Sequence, residues 1–104
     1  MRSLLLCSSF VEDDEFEWDD AKAASNLLRH SVSFDAAREV FRDPFAVEWL
    51  DEREDYGEER FAIIGMAQAR VLYVAFTLRG DRTRIISARR VTGLEQNIYD
   101  ENAD

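Results

Sequence analysis

Few residues in this chain bring ready-made chemistry with them. Among 104 residues there is one cysteine, one histidine, one proline and four glycines. The lone Cys7 excludes an internal disulfide framework and leaves no second thiol for a zinc site, which fits a reducing compartment. The apolar stretch near the N-terminus, "LLLC", is far shorter than the roughly 7 to 15 residues of a signal-peptide core or the 20 of a membrane span. The expected address is therefore the cytoplasm. No HExxH, CxxC, P-loop or glycine-rich dinucleotide signature occurs, so neither a metal nor a nucleotide cofactor has support. Low proline and glycine, with 46% hydrophobic and 34% charged residues, also exclude a disordered tail.

What is present is core material and charge. Seven Phe, three Tyr and two Trp are ample for one compact domain, and 104 residues are too few for two ordinary ones. Residues 1–14, "MRSLLLCSSFVEDD", show no periodicity and are expected to be a disordered or loosely ordered leader, with a single domain over 15–104. The formal net charge is -9, yet residues 60–90 hold seven arginines and one acid, a local +6, leaving -15 for the remainder. A strongly basic third sits inside an acidic whole.

The periodicities give an element order. "FEWDD" alternates Phe16 and Trp18 against Glu17 and ends on capping aspartates, so it reads as a strand running into a helix. Ala21, Ala24, Leu27 and Leu28 recur at helical spacing, with Arg29 and His30 in the last turn where cations suit the dipole. Ser33 caps a second helix, and Asp43-Pro44 stops it. From there the period changes to that of strands: "FAVEWL", "RFAIIGM", "RVLYVAFTL" and "RTRIISA". Gly80-Asp81 is a two-residue hairpin turn, the structural reading of the "RGD" tripeptide there. "TGLE" supplies a capping box, Thr92 and Glu95, for a last helix carrying Leu94, Ile98 and Tyr99 on one side. The order β-α-α-β-β-β-β-α, with short links between consecutive strands, predicts an α+β fold on a mostly antiparallel sheet, with two N-terminal helices and one C-terminal helix.

Strand alternation then sorts the arginines. About a Gly80-Asp81 loop, Leu78 falls opposite Thr83, Thr77 opposite Arg84, Ala75 opposite Ile86 and Tyr73 opposite Ala88. One face, Leu72, Val74, Phe76 and Leu78 with Thr83, Ile85, Ser87 and Arg89, belongs to the core. The other gathers Tyr73, Thr77 and Arg79 with Arg82, Arg84 and Arg90. Arg60 joins this basic face if Gln68-Ala69 is a two-residue loop and turns to the core if the loop has three; the sequence leaves both open. Clustered guanidinium groups repel one another, so an anion should balance them. Three candidates stand: acidic neighbours such as Glu58, Glu59, Glu48 or the last helix; a phosphodiester, which guanidinium forks bind bidentately; or an acidic protein partner.

Cleaving a phosphodiester needs cations on the phosphate plus a proton acceptor and donor. Arginine suits the first role and is a poor base. Candidates for the second are His30, the one imidazole of the sequence, Tyr73, Tyr99 and Glu59. Each also has a bland reading, as helix cap, core aromatic or solvated turn. Lys22 and Asn26 lie one helical turn apart, either solvated or touching RNA.

Three ordered stretches, "FEWDDAKAASNLLRHSVSFDAAREVF", "GEERFAIIG" and "RTRIISARRVT", resemble the BrnT toxins, the ribonuclease half of a bacterial type II toxin-antitoxin pair with a fold similar to that of RelE-type toxins. The likeness runs from about Phe16 to Tyr99. It implies a metal-independent endoribonuclease that inhibits translation and is neutralised by a BrnA-like ribbon-helix-helix antitoxin. It further implies a heterotetramer of two toxins and two antitoxins that meets DNA only through the antitoxin. By position, Lys22, Asn26 and His30 match the family's first helix motif, Arg60 its "ER" motif, and Arg84, Ser87, Arg89 and Arg90 its last motif. The expected catalytic set is Arg84, Arg90, Arg60 and His30, with Arg79, Arg82, Arg89, Lys22 and Tyr73 holding RNA. The family's last motif commonly precedes a basic helix, whereas "GLEQNIYDENAD" is neutral to acidic. The competing expectation is thus a catalytically inactive module that only binds an antitoxin or another acidic protein.

Overall fold

The computed structural model of the chain describes residues 10–12 and 15–103. Six strands, β1 (Phe10–Glu12), β2 (Phe16–Asp19), β3 (Val47–Asp51), β4 (Arg60–Ala67), β5 (Arg70–Arg79) and β6 (Arg82–Arg90), form one sheet. Its order is β1-β2-β6-β5-β4-β3, antiparallel except where β2 runs parallel to β6. Three helices, α1 (Asp20–His30), α2 (Phe34–Val40) and α3 (Gly93–Ala103), complete an α+β architecture. From Phe16 onward the order is the expected β-α-α-β-β-β-β-α. Of the leader expected over 1–14, Phe10–Glu12 forms β1 against β2 and the remainder lies outside the described residues.

The helix ends follow the local chemistry of the sequence. Asp19 Oδ1 accepts the amides of Ala21 (2.8 Å) and Lys22 (3.4 Å) at the start of α1. At its end Ser31 turns left-handed, φ 57°, and returns its N–H to the Leu27 carbonyl. Ser33 Oγ caps α2 through the Ala36 amide at 3.0 Å. The capping box of α3 is reciprocal: Glu95 N–H donates to Thr92 Oγ1, and Thr92 N–H donates to Glu95 Oε1.

The sheet is covered on both faces. On one, α1 and α2 close a core of Phe16, Trp18, Val32, Phe34, Val40, Leu72, Val74, Phe76 and Ile85, through which runs an aromatic row, Phe16–Phe41–Phe76–Phe61. Gly65 lets α2 approach β4: a Cβ there would meet Val40 Cγ1 at 2.9 Å and Ala46 Cβ at 3.2 Å. On the other face α3 packs over β3 and β4, setting Tyr99 among Ala62, Ile64, Val71 and Tyr73.

Two apolar stripes differ from expectation. Leu27 is 50% and Leu28 88% exposed, and α1 instead turns Ala23 and the buried Asn26 toward the sheet. Asn26 acts as a missing strand residue. Its Nδ2 donates to the carbonyls of Ala88 (2.8 Å) and Val32 (3.0 Å), and its Oδ1 accepts the Ala88 amide (3.1 Å). Ala88 lies beyond the reach of the short β2, so its backbone needs that partner. On α3, Tyr99 is buried while Leu94 is 72% exposed.

The hairpins decide the faces. Gln68 and Ala69 both take positive φ (51° and 68°) in a two-residue turn, so β4 and β5 pair from Ala67–Arg70 to Phe61–Phe76 and Arg60 falls beside Thr77. Of the two registers left open, this is the one that puts Arg60 on the basic face. Between β5 and β6 the expected pairs Leu78–Thr83, Thr77–Arg84 and Phe76–Ile85 form, but Ile86 then bulges out. Beyond it Ala75 faces Ser87, Val74 faces Ala88, Tyr73 faces Arg89 and Leu72 faces Arg90. One inserted residue inverts every later side chain. Ser87 and Arg89 therefore stand on the basic face, and Arg90 on the side of α1 and α2, the reverse of the expected arrangement.

Candidate functional site

On the α3 side the register lines up side chains in rows across the sheet. The first row is Asp51, Arg60, Thr77, Arg84 and Glu17, running from β3 through β4, β5 and β6 to β2. The second is Trp49, Ala62, Ala75 and Ser87; the third is Val47, Ile64, Tyr73 and Arg89. With Arg79 and Arg82 at the hairpin tip, the strands put five arginines and two carboxylates on this face. It is the most concentrated positive feature of an acidic chain.

Each of its well-placed arginines is met by an acid. Arg84 Nη1 donates to Glu17 Oε2 at 2.6 Å, with 16% and 11% of the two side chains exposed. Glu58 receives Arg79 at 3.1 Å and lies 3.6 Å from Arg60 Nε. The Arg60 guanidinium also stacks on Tyr56 at 4.3 Å. Arg89 forms a bidentate pair with Glu95 of α3, 2.9 and 3.0 Å, and its guanidinium lies 4.0 Å over the Tyr73 ring. Of the balancing acids considered from sequence, Glu58 and the last helix serve, and Glu17 joins them. Glu59 contributes its backbone, whose carbonyl accepts from Thr77 Oγ1 at 2.6 Å.

A second arginine centre surrounds Tyr73. Arg53 donates to both oxygens of Asp51 (2.9 and 2.8 Å) and reaches the Tyr73 hydroxyl at 3.4 Å. The Arg53 hydrogen bond, outweighing the opposing effect of burial, holds the Asp51 carboxyl down at about 2. Burial raises the Tyr73 phenol, only partly offset by Arg53 and Arg89, so Tyr73 is a hydroxyl donor at neutral pH. Glu95 is held low by the hydrogen bonds of Arg89, against burial. Tyr99 is engaged elsewhere: its hydroxyl donates to Asp43 Oδ2 at 2.7 Å, and burial with that bond pushes it up to about 12.

The expected site residues divide between the two faces. Arg60, Arg79, Arg82, Arg84, Arg89 and Tyr73 are together on the α3 side. His30 and Lys22 belong to α1, which packs against the opposite face, and Arg90 projects to that same side. Asn26, matched by sequence to the same helix motif, is a buried structural residue. Sequence reasoning passed over Glu17, Asp51, Trp49 and Arg53. The parallel pairing that brings Glu17 to Arg84 spans 67 residues, and "VEWLDER" looked like an acidic strand and turn. The one available signal was the alternation of Val47, Trp49 and Asp51 along β3.

With the geometry in hand, comparison with known proteins adds one finding. Residues 18–95 match the family model described as ribonuclease toxin, BrnT, of type II toxin-antitoxin system. A search of curated proteins finds no match.

Proposed function

From the premise that this chain belongs to the BrnT family of type II toxin-antitoxin ribonuclease toxins, we propose that it cuts RNA on the α3 side of its sheet, as a cytoplasmic, metal-independent endoribonuclease that inhibits translation. The observation carrying this reading is the row Arg60, Thr77, Arg84 and Glu17, in which two guanidinium groups flank a hydroxyl across three adjacent strands. A phosphate over Thr77 meets Arg60 from one side and Arg84 from the other. Both stabilise the charge that develops as the 2'-hydroxyl attacks phosphorus. Glu58 and Glu17 now pair with these guanidinium groups, and a phosphate would compete with them. Arg79, Arg82 and Arg89 extend the contact along the strand. His30, Lys22 and Arg90 lie on the other side and stay outside this centre.

A toxin of this class has an antitoxin partner. The reading takes it to be a BrnA-like ribbon-helix-helix protein, in a complex of two toxins and two antitoxins that meets DNA through the antitoxin alone. The carboxylate on each of Arg60, Arg79, Arg84 and Arg89 favours a second reading, a module that binds its antitoxin without cutting RNA.

One assay separates them. Purified protein is incubated with a long RNA in the presence of a chelator, beside an Arg60→Ala, Arg84→Ala double variant whose fold is checked by circular dichroism. The nuclease reading expects cleavage by the wild type and a loss of about 10²-fold or more in the variant. Cleavage equal in both moves the chemistry away from Arg60 and Arg84, and none by the wild type leaves the binding module.

A further inference from the structure

The nuclease reading assigns residues to a phosphate and none to a base. Beside the charged row lies a row of small residues, and at the far end of it stands an aromatic ring turned to solvent. Trp49 is 36% exposed on β3, its ring 6.1 Å from that of Tyr73 at 64°, an edge contact that leaves a broad indole surface outward. Ala75 and Ser87, partly exposed and directly paired, make an open floor between Thr77–Arg84 on one side and Tyr73–Arg89 on the other. Arg53, with 70% of its side chain exposed, and Arg89, with 30%, stand around the Tyr73 hydroxyl and ring.

Ion pairs with Asp51 and Glu95 account for the placing of Arg53 and Arg89, and they leave the exposure of Trp49 unexplained. Trp18, the other tryptophan, is 5% exposed in the core, as burial of so large an apolar ring demands. A partly exposed tryptophan, its ring against that of Tyr73 where Arg53 and Arg89 also meet, and one row from the phosphate-binding row, has the composition of a base-stacking platform. Trp49 on β3 stands one row, about 7 Å, and two strands, about 10 Å, from Thr77 on β5, a diagonal of about 12 Å that an extended single strand covers between a phosphate and a neighbouring base. Its flat ring matches unpaired bases rather than a duplex, whose bases are already stacked.

We infer that Trp49, with Arg89 and Arg53, forms a nucleobase subsite that seats an unpaired base next to the phosphate held by Arg60 and Arg84. Tyr73 is its positioning residue: its ring backs the Arg89 guanidinium and its hydroxyl meets Arg53, keeping both groups turned to the same surface. The subsite rests on the nuclease reading and confines the substrate to single-stranded RNA.

The test uses an unstructured oligoribonucleotide carrying 2'-O-methyl groups, which cannot attack its own phosphates and so binds uncut. Binding quenches Trp49 fluorescence, while buried Trp18 is the internal control. Trp49→Leu, which keeps an apolar side chain on β3, loses the quench and binds about tenfold more weakly by anisotropy; Trp49→Phe retains most of the affinity. Replacing bases of the oligonucleotide by abasic sites weakens the wild type and leaves Trp49→Leu unchanged. If the wild type cuts RNA but Trp49→Leu binds and cuts equally well, or if a duplex binds as tightly as the single strand, the subsite is wrong and the nuclease stands. If the wild type neither binds nor cuts, the nuclease reading fails and takes the subsite with it.

Discussion

Single side chains on this sheet hold two kinds of work, and substitutions separate them. Asn26 replaces a strand at the edge of β6, so Asn26→Asp keeps the acceptor for Ala88 N–H but loses both donated bonds and sets a carboxylate against two carbonyls. The expected cost is about 2–4 kcal/mol, read as a lower urea midpoint with an unchanged slope. Asp51 works through its charge. Its folded pKa of about 2 lies below the unfolded value of 3.8, so its contribution is complete above the unfolded value and fades as pH falls toward 2. Arg53 is largely exposed, which limits the gain to on the order of 1 kcal/mol. The wild type should therefore melt above Asp51→Asn at pH 6, with the gap closing between pH 4 and 2. A gap that persisted at pH 2 would mean that the carboxylate's charge is not what stabilises the site.

At the scale of elements, turns and bulges carry the decisive information. Ala69 holds φ 68° with a Cβ, and Ala69→Gly should raise stability by about 0.5–1 kcal/mol, measurable by thermal unfolding. At Gly65 the sign reverses: Gly65→Ala forces a methyl onto Val40 and should cost about 1–3 kcal/mol. The strands and helices from Phe16 onward, the caps at Ser33 and Thr92, and the Gly80-Asp81 turn were legible in the sequence, because each depends on residues within a few positions of one another, whereas the Gln68-Ala69 loop was left open between two and three residues. The bulge at Ile86 was not, since nothing in "RIISARR" marks one isoleucine as extra. That single residue exchanges the faces of Arg89 and Arg90. The α1 stripe failed for a related reason: helical periodicity counts apolar side chains, whereas the position turned inward is an asparagine chosen by an unpaired backbone 62 residues away.

Across the whole molecule the sheet acts as a partition. Arg60, Arg84 and Arg89 look out on one side, His30 and Arg90 on the other. His30→Ala and Arg90→Ala are accordingly expected to retain cleavage within about twofold, while Arg84→Ala loses about 10²-fold in kcat. A collapse of activity in His30→Ala with the fold intact would move the chemistry to the helix side. Strand alternation made Arg79, Arg82 and Arg84 readable as one cluster, but it left Arg60 open and exchanged Arg89 with Arg90. The acids that restrain it were less so, because Glu17 reaches Arg84 only through the sheet's one parallel pairing.

That pairing sets a timetable. β2, paired with β1 on its outer side, joins the rest of the sheet only through β6, so a growing chain emerging from the ribosome carries Phe16, Glu17 and Trp18 without that inner neighbour until the arginine-rich strand has followed. Contacts so distant in sequence close late and slowly. The guanidinium of Arg84 and the carboxylate that restrains it thus come together in one late event, and the surface that would touch RNA does not exist before it.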